Sequence, residues 1–383
     1  VTLSTFTPLS GRKLVFVVTE DWFFASHFLP MARAAQEIGL DVVVVTRVRS
    51  HREVIEATGA RVIPLEAERR SLNPLTAGYA AGQLASVLRA EKADMVHCIA
   101  LRGILIGGVA AAMAGIDRRI YALTGLGFLG AKQDHVARLA RRAVRLLVRA
   151  LATGRTRYLF ENEDDPQLLG LDPTSPKITI VGGAGVDAGG FKPAPLPSVP
   201  PLRIAVVARM LWSKGIDLAV EATRSARLKG AEVELSLYGA PDPSNPKAIP
   251  EGTLKAWSAE PGIRWHGATS DVAAVWRDHH VACLPSRGGE GLPRTLLEAA
   301  ACGRAIVTTD VPGCRTLVRD QIEGFVVRPD DVVALAVAFV GLAQAPDLVA
   351  RMGAAARARI LDGFTERDVM ETVQRLYRDS LAA

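Results

Sequence analysis

The sequence predicts an α/β protein built from two Rossmann-like, doubly wound domains that face each other across a cleft. Three observations carry this reading. Short β-branched runs alternate with helical patterns along the whole chain, as in parallel sheets covered by helices. A stretch rich in Gly and Pro, 182–201, splits the alternation into two sets and reads as a linker. The 383 residues exceed the ~250–300 at which a single core stops growing.

In the first set, strand 14–19 leads into a loop, Glu20-Asp-Trp-Phe-Phe-Ala-Ser-His27-Phe-Leu-Pro. Helix 29–39, closing at Gly39, and strand 41–46 complete a β-α-β unit. The pattern continues through strand 61–65, helix 75–91, strand 94–98, helix 103–114, strand 119–123, helix 134–152, strand 156–160, helix 164–170 and strand 177–181. After the linker come strand 203–207, helix 215–229, strand 232–237, helix 252–258, strand 262–265, helix 271–278, strand 281–285, helix 293–302 and strands 305–309 and 324–327. Helices 331–345, 347–361 and an amphipathic 366–381 close the chain. Sheets of this kind bind ligands in the crevice beyond the carboxyl ends of the strands.

Composition narrows the function. Hydrophobic residues at 49% and charged residues at 22% describe an ordinary globular chain. The uncharged, Gly/Ala-rich stretch 103–116 is shorter than the ~18–20 residues that span a bilayer. The apolar run 14–18 after Arg12-Lys13 reads as a strand and not as a signal peptide. Cys98, Cys283, Cys302 and Cys314 lack CxxC spacing and read as reduced packing residues, so no metal site is expected. The net charge of +6 favours anionic partners such as nucleotide sugars, lipid diphosphates or an acidic leaflet. With 5% aromatics and no stacking motif, nucleic acid is not expected as a partner.

The chemistry concentrates in 281–317. Strand 281–285 runs into Ser286-Arg287-Gly288-Gly289, then Glu290, a helix opening near Pro293, Glu298 inside it and an exit at Gly303. A helix start offers free N–H groups and partial positive charge to an anion. Here the amides of Gly291, Leu292, Arg294 and Thr295 form the cradle, since Pro293 cannot donate. Glu290 and Glu298 bracket it and can accept hydroxyl protons, a layout suited to a sugar bound to phosphate. Arg209 follows strand 203–207 and Lys214 opens the next helix, both at a carboxyl strand edge. Such cations would meet the charge that develops on a departing diphosphate.

Glu290-Gly-Leu-Pro-Arg-Thr-Leu-Leu-Glu298 resembles the E-x7-E motif of glycosyltransferase family 4, retaining enzymes with the GT-B fold. The segment Val206-Val-Ala-Arg209-Met-Leu-Trp-Ser-Lys214-Gly215 is similar to that family's strand–Arg–x4–Lys–Gly block. Ser71-Leu-Asn-Pro74, Thr124-Gly-Leu-Gly-Phe128 and Leu211-Trp-Ser-Lys-Gly215 resemble the bacterial branch that builds capsules and polyprenyl-diphosphate-linked oligosaccharides. One member of that branch adds N-acetylgalactosamine to a lipid-linked bacillosamine.

The resemblance implies an acceptor-binding domain over 1–185, a nucleotide-sugar domain over 186–365 and a helix, 366–383, crossing back to the first domain. It implies that Glu290 holds a donor-sugar hydroxyl and Glu298 the ribose diol, with Gly239 also on the donor side. His27, Arg102, Gly125 and Gly127 fall to the acceptor side. Gly125-Leu-Gly-Phe-Leu-Gly130 also fits a dinucleotide fingerprint, but the acid expected ~20 residues on is missing. No paired glycines occupy the first loop, and Ile99 and Thr124 stand where relatives often carry a His. No Asp-x-Asp motif is present, in keeping with metal-independent transfer and no cofactor beyond the nucleotide sugar.

Arg138, Arg142, Arg145 and Arg149 recur at helical spacing, with no acid between Asp134 and Glu161. That helix reads as a membrane-surface face for an anionic leaflet. The expectation is therefore a transferase moving an N-acetylhexosamine or hexose from a UDP donor to a polyprenyl-diphosphate-linked saccharide, on the inner face of the cytoplasmic membrane. A nucleotide-sugar 2-epimerase and a non-catalytic nucleotide-sugar-binding protein are the alternatives on the same fold.

Overall fold

A computed structural model describes residues 9–65, 74–125, 135–242 and 245–382. The chain divides into two compact units. One holds the described residues up to Ala184 together with the C-terminal helix Glu366–Ala382, the other Gly185–Thr365.

The first unit is built on strands β1 (Lys13–Val17), β2 (Asp41–Thr46), β3 (Arg61–Pro64), β4 (Met95–Ile99), β5 (Arg119–Leu123), β6 (Arg157–Phe160) and β7 (Ile178–Ile180). They pair in the order β3-β2-β1-β4-β5-β6-β7, every pairing parallel. The second unit uses β8 (Leu202–Val207), β9 (Val233–Tyr238), β10 (Ile263–Gly267), β11 (Val281–Leu284), β12 (Ala305–Thr309) and β13 (Gly324–Val327). Their order is β10-β9-β8-β11-β12-β13, again all parallel. Central strands such as β4, β5, β11 and β12 are buried along their whole length, so they read as continuous apolar runs. Each sheet carries an apolar core on both faces. In each unit the order reverses once, between β1 and β4 and between β8 and β11, and the crevice of a doubly wound sheet opens at such a point.

The segment expected as the first loop holds a helix, Asp21–His27, which leads straight into Leu29–Glu37, the helix expected over 29–39. Phe24 and Phe28, one turn apart, are both fully buried, with Phe24 edge-on to Phe16 at 5.2 Å. The Asp21 carboxylate is buried and accepts the backbone N–H groups of Arg49, Ser50 and His51 at 2.6–2.9 Å. Those bonds hold its carboxyl below the ordinary aspartate value, against the opposing effect of burial. A second difference concerns Lys214. It does not open a helix but ends a short 3-10 turn, Trp212–Lys214, and Gly215 at φ +69 redirects the chain into helix Ile216–Leu228. Short helices Arg52–Glu56 and Pro312–Leu317 were not legible from periodicity.

The C-terminal helix Glu366–Ala382 buries Val369, Val373, Leu376 and Tyr377 in the core of the first unit. Gln374 Nε2 donates to Glu37 Oε2 at 2.8 Å, and the Tyr377 hydroxyl lies 3.0 Å from His97 Nδ1.

Candidate active site

In the second unit the loops that follow β8 and β11 come from adjacent strands at the reversal of strand order. They are pressed together closely. A Cβ on Gly215 would lie 2.0 Å from the Pro285 carbonyl oxygen, so only glycine fits there, quite apart from its left-handed φ. This approach brings Lys214 Nζ to Glu290 Oε1 and Oε2 at 2.8 and 2.7 Å. Both side chains are largely buried. The Ser286 hydroxyl, itself buried, donates to Glu290 Oε1 at 2.6 Å. Lys214 and Glu290, expected as a phosphate clamp and a sugar-hydroxyl acceptor, are thus in direct contact.

Arg209 stands two residues past the end of β8, half exposed, with Nη1 3.3 Å from Asp242 Oδ2. Gly239 follows β9 at φ +143, where a Cβ would lie 1.8 Å from the Ala208 carbonyl oxygen. Its own carbonyl accepts the Trp265 indole N–H at 2.9 Å.

Helix Arg294–Ala301 begins after Pro293. Its first N–H groups, those of Arg294 and Thr295 included, have no acceptor within the helix. The Thr295 hydroxyl is buried there without a hydrogen-bond partner among the described residues. Glu298, one turn on, is 7% exposed and accepts from Arg294 Nε at 2.8 Å. Burial pushes its carboxyl above the ordinary glutamate value, and Arg294 opposes the shift. Gly291 passes beneath helix Pro312–Leu317 so closely that a Cβ on Gly313 would lie 1.2 Å from its carbonyl oxygen. Leu292 is buried just beyond it.

Sequence reasoning assigned no role to Ser286, Asp217, Arg287 or Gly313, which shape this site. Ser286, Arg287 and Gly313 all stand within 281–317, and Asp217 stands two residues past Gly215. Only their partners distinguish them.

The other expected residues lie in the first unit. His27 ends helix Asp21–His27, with Nδ1 2.6 Å from the Ser26 hydroxyl and its ring 4.8 Å from that of Phe23. Arg102 lies in the first turn of helix Ala100–Ala114 and Gly125, at φ +90, follows β5. Gly127 lies outside the described residues. His97 is fully buried on β4, and burial lowers its pKa to about 3, so it packs as a neutral ring.

The four arginines of the stripe share one side of helix His135–Ala150, and two of them also bond back to the chain. Arg145 Nη2 donates to the Leu168 carbonyl at 3.3 Å and Arg149 Nη2 to the Gly170 carbonyl at 2.8 Å. Those two hold the end of the helix Asp164–Leu168. Arg138 and Arg142 are exposed, beside Leu139, Leu146 and Leu147, which are 68%, 66% and 48% exposed. The exposed side of this helix therefore sets apolar Leu139 and Leu146 beside a basic edge that includes Arg138 and Arg142. No single described helix is long and apolar enough to cross a membrane. Among the described residues no group of three or more His, Cys, Asp or Glu side chains is placed to hold a metal ion.

Two family models match the chain. One, described as glycosyl transferases group 1, covers residues 201–345, and the other, glycosyl transferase 4-like, covers residues 13–157. The chain is 27% identical over 313 residues to the N,N'-diacetylbacillosaminyl-diphospho-undecaprenol alpha-1,3-N-acetylgalactosaminyltransferase of Campylobacter jejuni, spanning 78% of this chain and 81% of that one. Among solved structures it is similar to a glycosyltransferase from Rickettsia africae, at TM-score 0.76 and 16% identity, over 97% of this chain and 98% of the other. Anabaena HepE in complex with UDP-glucose superposes with TM-score 0.76 at 14% identity, over 96% and 99% of the two chains. With two parallel α/β sheets of the GT-B kind and a family model on each half, the chain belongs to the family 4, group 1 glycosyltransferases.

Proposed function

We propose that this glycosyltransferase moves an N-acetylhexosamine or hexose, with retention, from a UDP-sugar to a polyprenyl-diphosphate-linked saccharide. The observation that carries the reading is the Lys214–Glu290 pair, set at the strand-order reversal beside the start of helix Arg294–Ala301. Bare glutamate would repel a diphosphate. Paired with Lys214 it presents a neutral unit with one ammonium N–H still free to donate, since an ammonium has three donors and two are spent on the carboxylate. Glu290 then accepts from a donor-sugar hydroxyl, while Lys214, Arg209 and the helix amides take the phosphates. Glu298 accepts from the ribose hydroxyls.

In the transfer step the bond between the sugar C1 and the UDP oxygen breaks, its electron pair leaving with UDP. The acceptor hydroxyl oxygen forms the new bond to C1 on the same face, and its proton passes to a phosphate oxygen of the leaving UDP. The protein's contribution is fixed positive charge aimed at that phosphate, and here it comes from side chains and helix amides. The lipid-linked acceptor is supported by the likeness to the Campylobacter jejuni enzyme and by the exposed leucines and arginines of helix His135–Ala150. That face suits attachment to an anionic leaflet on the inner side of the cytoplasmic membrane.

A panel of UDP- and GDP-sugars, assayed for slow donor hydrolysis and for transfer to undecaprenyl-diphosphate-linked mono- and disaccharides, tests the reading. Hydrolysis of a UDP-hexosamine or UDP-hexose, and a radiolabelled lipid product with the α-linkage of the donor, are expected. Activity confined to GDP-sugars, conversion of the donor to its epimer without transfer, or a β-linked product would refute it.

A further inference from the structure

We propose that Arg287 is a positioning residue that locks the Lys214 turn to the Glu290 loop and does not itself bind the nucleotide. The inference rests on the catalytic reading of Lys214 and Glu290 given above. Those two residues stand on separate loops, after β8 and after β11, and a phosphate-binding role for any arginine between them would be the obvious assignment. The hydrogen bonds of Arg287 argue otherwise. Its Nη1 and Nη2 form a parallel pair with Asp217 Oδ1 and Oδ2, each at 2.8 Å. Nη1 also donates to the Trp212 carbonyl, and Nε to Asp330 Oδ1 at 2.6 Å. Four of the five guanidinium N–H groups are thereby used within the protein. The backbone N–H of Arg287 donates to the Ser213 carbonyl at 2.9 Å, one residue before Lys214.

The clasp therefore joins the ends of three strands. Asp217 lies in the first turn of helix Ile216–Leu228, three residues past Lys214. Asp330 follows β13, and Arg287 stands three residues before Glu290. Between Arg287 and Glu290 lie Gly288 and Gly289, at φ +126 and +76, two residues that lack side chains to fix the loop. With so permissive a hinge, the position of Glu290 depends on what anchors the loop on its upstream side. The anchor there is the planar fork on Asp217, which fixes orientation as well as distance.

The test is a double-mutant cycle with hydrogen exchange. Arg287→Gln should lower kcat for UDP-sugar turnover by about a hundredfold, the cost of misplacing catalytic groups by an ångström. Affinity for free UDP by calorimetry should change by under about threefold, because no nucleotide contact is lost. In a Lys214→Ala background the same substitution should cost under about threefold more, since it acts through a group already removed. Arg287→Lys should recover little, as an ammonium cannot reproduce the fork, and Asp217→Asn should copy Arg287→Gln. Amides of 286–292 should exchange faster in Arg287→Gln while the melting transition stays cooperative. Equal losses in both backgrounds, a loss of UDP affinity as large as the loss of kcat, or unchanged exchange in 286–292 would overturn the proposal. If Lys214→Ala alone leaves turnover intact, the catalytic reading falls, and the exchange data still decide whether Arg287 holds the loop.

Discussion

Lys214 Nζ touches both carboxylate oxygens of Glu290, at 2.8 and 2.7 Å, across 76 residues of sequence. Removing either partner leaves the other charged and largely buried. Lys214→Ala and Arg209→Ala should each lower turnover by about a hundredfold or more with the fold retained, as expected for lost charge stabilisation of a leaving group. Steady-state turnover and circular dichroism check this. Wild-type turnover in either variant would remove the phosphate-clamp role.

Glu298 and Glu290 should separate in their effects. The ribose is common to ground and transition states, so Glu298→Ala should weaken binding of free UDP, while Glu290→Ala should depress turnover more than affinity. Calorimetry with UDP distinguishes them, and equal loss of affinity in both would end the division of roles.

The raised pKa of Glu298 carries a stability cost. Burial favours its neutral form, so folding holds the proton more tightly than the unfolded chain does. Its contribution is fully present below the ordinary glutamate value of 4.5 and is lost as pH rises through the higher folded value. Glu298→Gln should accordingly raise the melting temperature of the nucleotide-free protein at pH 7, with the gain vanishing near pH 4. No gain at pH 7 would mean that Arg294 fully offsets the burial.

Gly313 marks the tightest backbone approach in the site, 1.2 Å between a built Cβ and the Gly291 carbonyl oxygen. Gly313→Ala must part helix Pro312–Leu317 from the loop carrying Glu290. Overpacking of this kind costs about 1–3 kcal/mol. Urea denaturation should report that loss, accompanied by reduced turnover.

On helix His135–Ala150 the basic residues should behave in two ways. Each basic residue near an anionic surface contributes about 1 kcal/mol. Arg138→Gln with Arg142→Gln should release the protein from anionic vesicles, as should Leu139→Ser with Leu146→Ser. Arg145→Gln and Arg149→Gln should instead lower the melting temperature, because their guanidinium groups hold the Leu168 and Gly170 carbonyls. Vesicle flotation at two salt concentrations, paired with melting curves, separates the outcomes. Undiminished flotation of both double variants would exclude this face as the attachment surface.

The apolar alternation of the chain determined the fold class by itself. Runs such as Asp41–Thr46 and Ala305–Thr309 are too β-branched and too uniformly apolar to be anything but strands buried on both faces. The Glu290–Glu298 spacing and the Arg209–Lys214 block were likewise legible, because both lie within short continuous segments. What the tertiary structure decided is which segments meet and where side chains point. Alternation does not say that β8 lies beside β11, and only that adjacency brings Lys214 onto Glu290 and Arg287 onto Asp217. Helix Asp21–His27 was hidden in a dense aromatic run, and its Asp21 finds its hydrogen-bond partners some 30 residues on. The stripe of arginines has a regular helical period, yet that period does not tell that Arg145 and Arg149 donate to the Leu168 and Gly170 carbonyls. Periodicity specifies which side of an element is buried, whereas the partner of a charge is set by strand order and close backbone contacts, and these are properties of the assembled sheet.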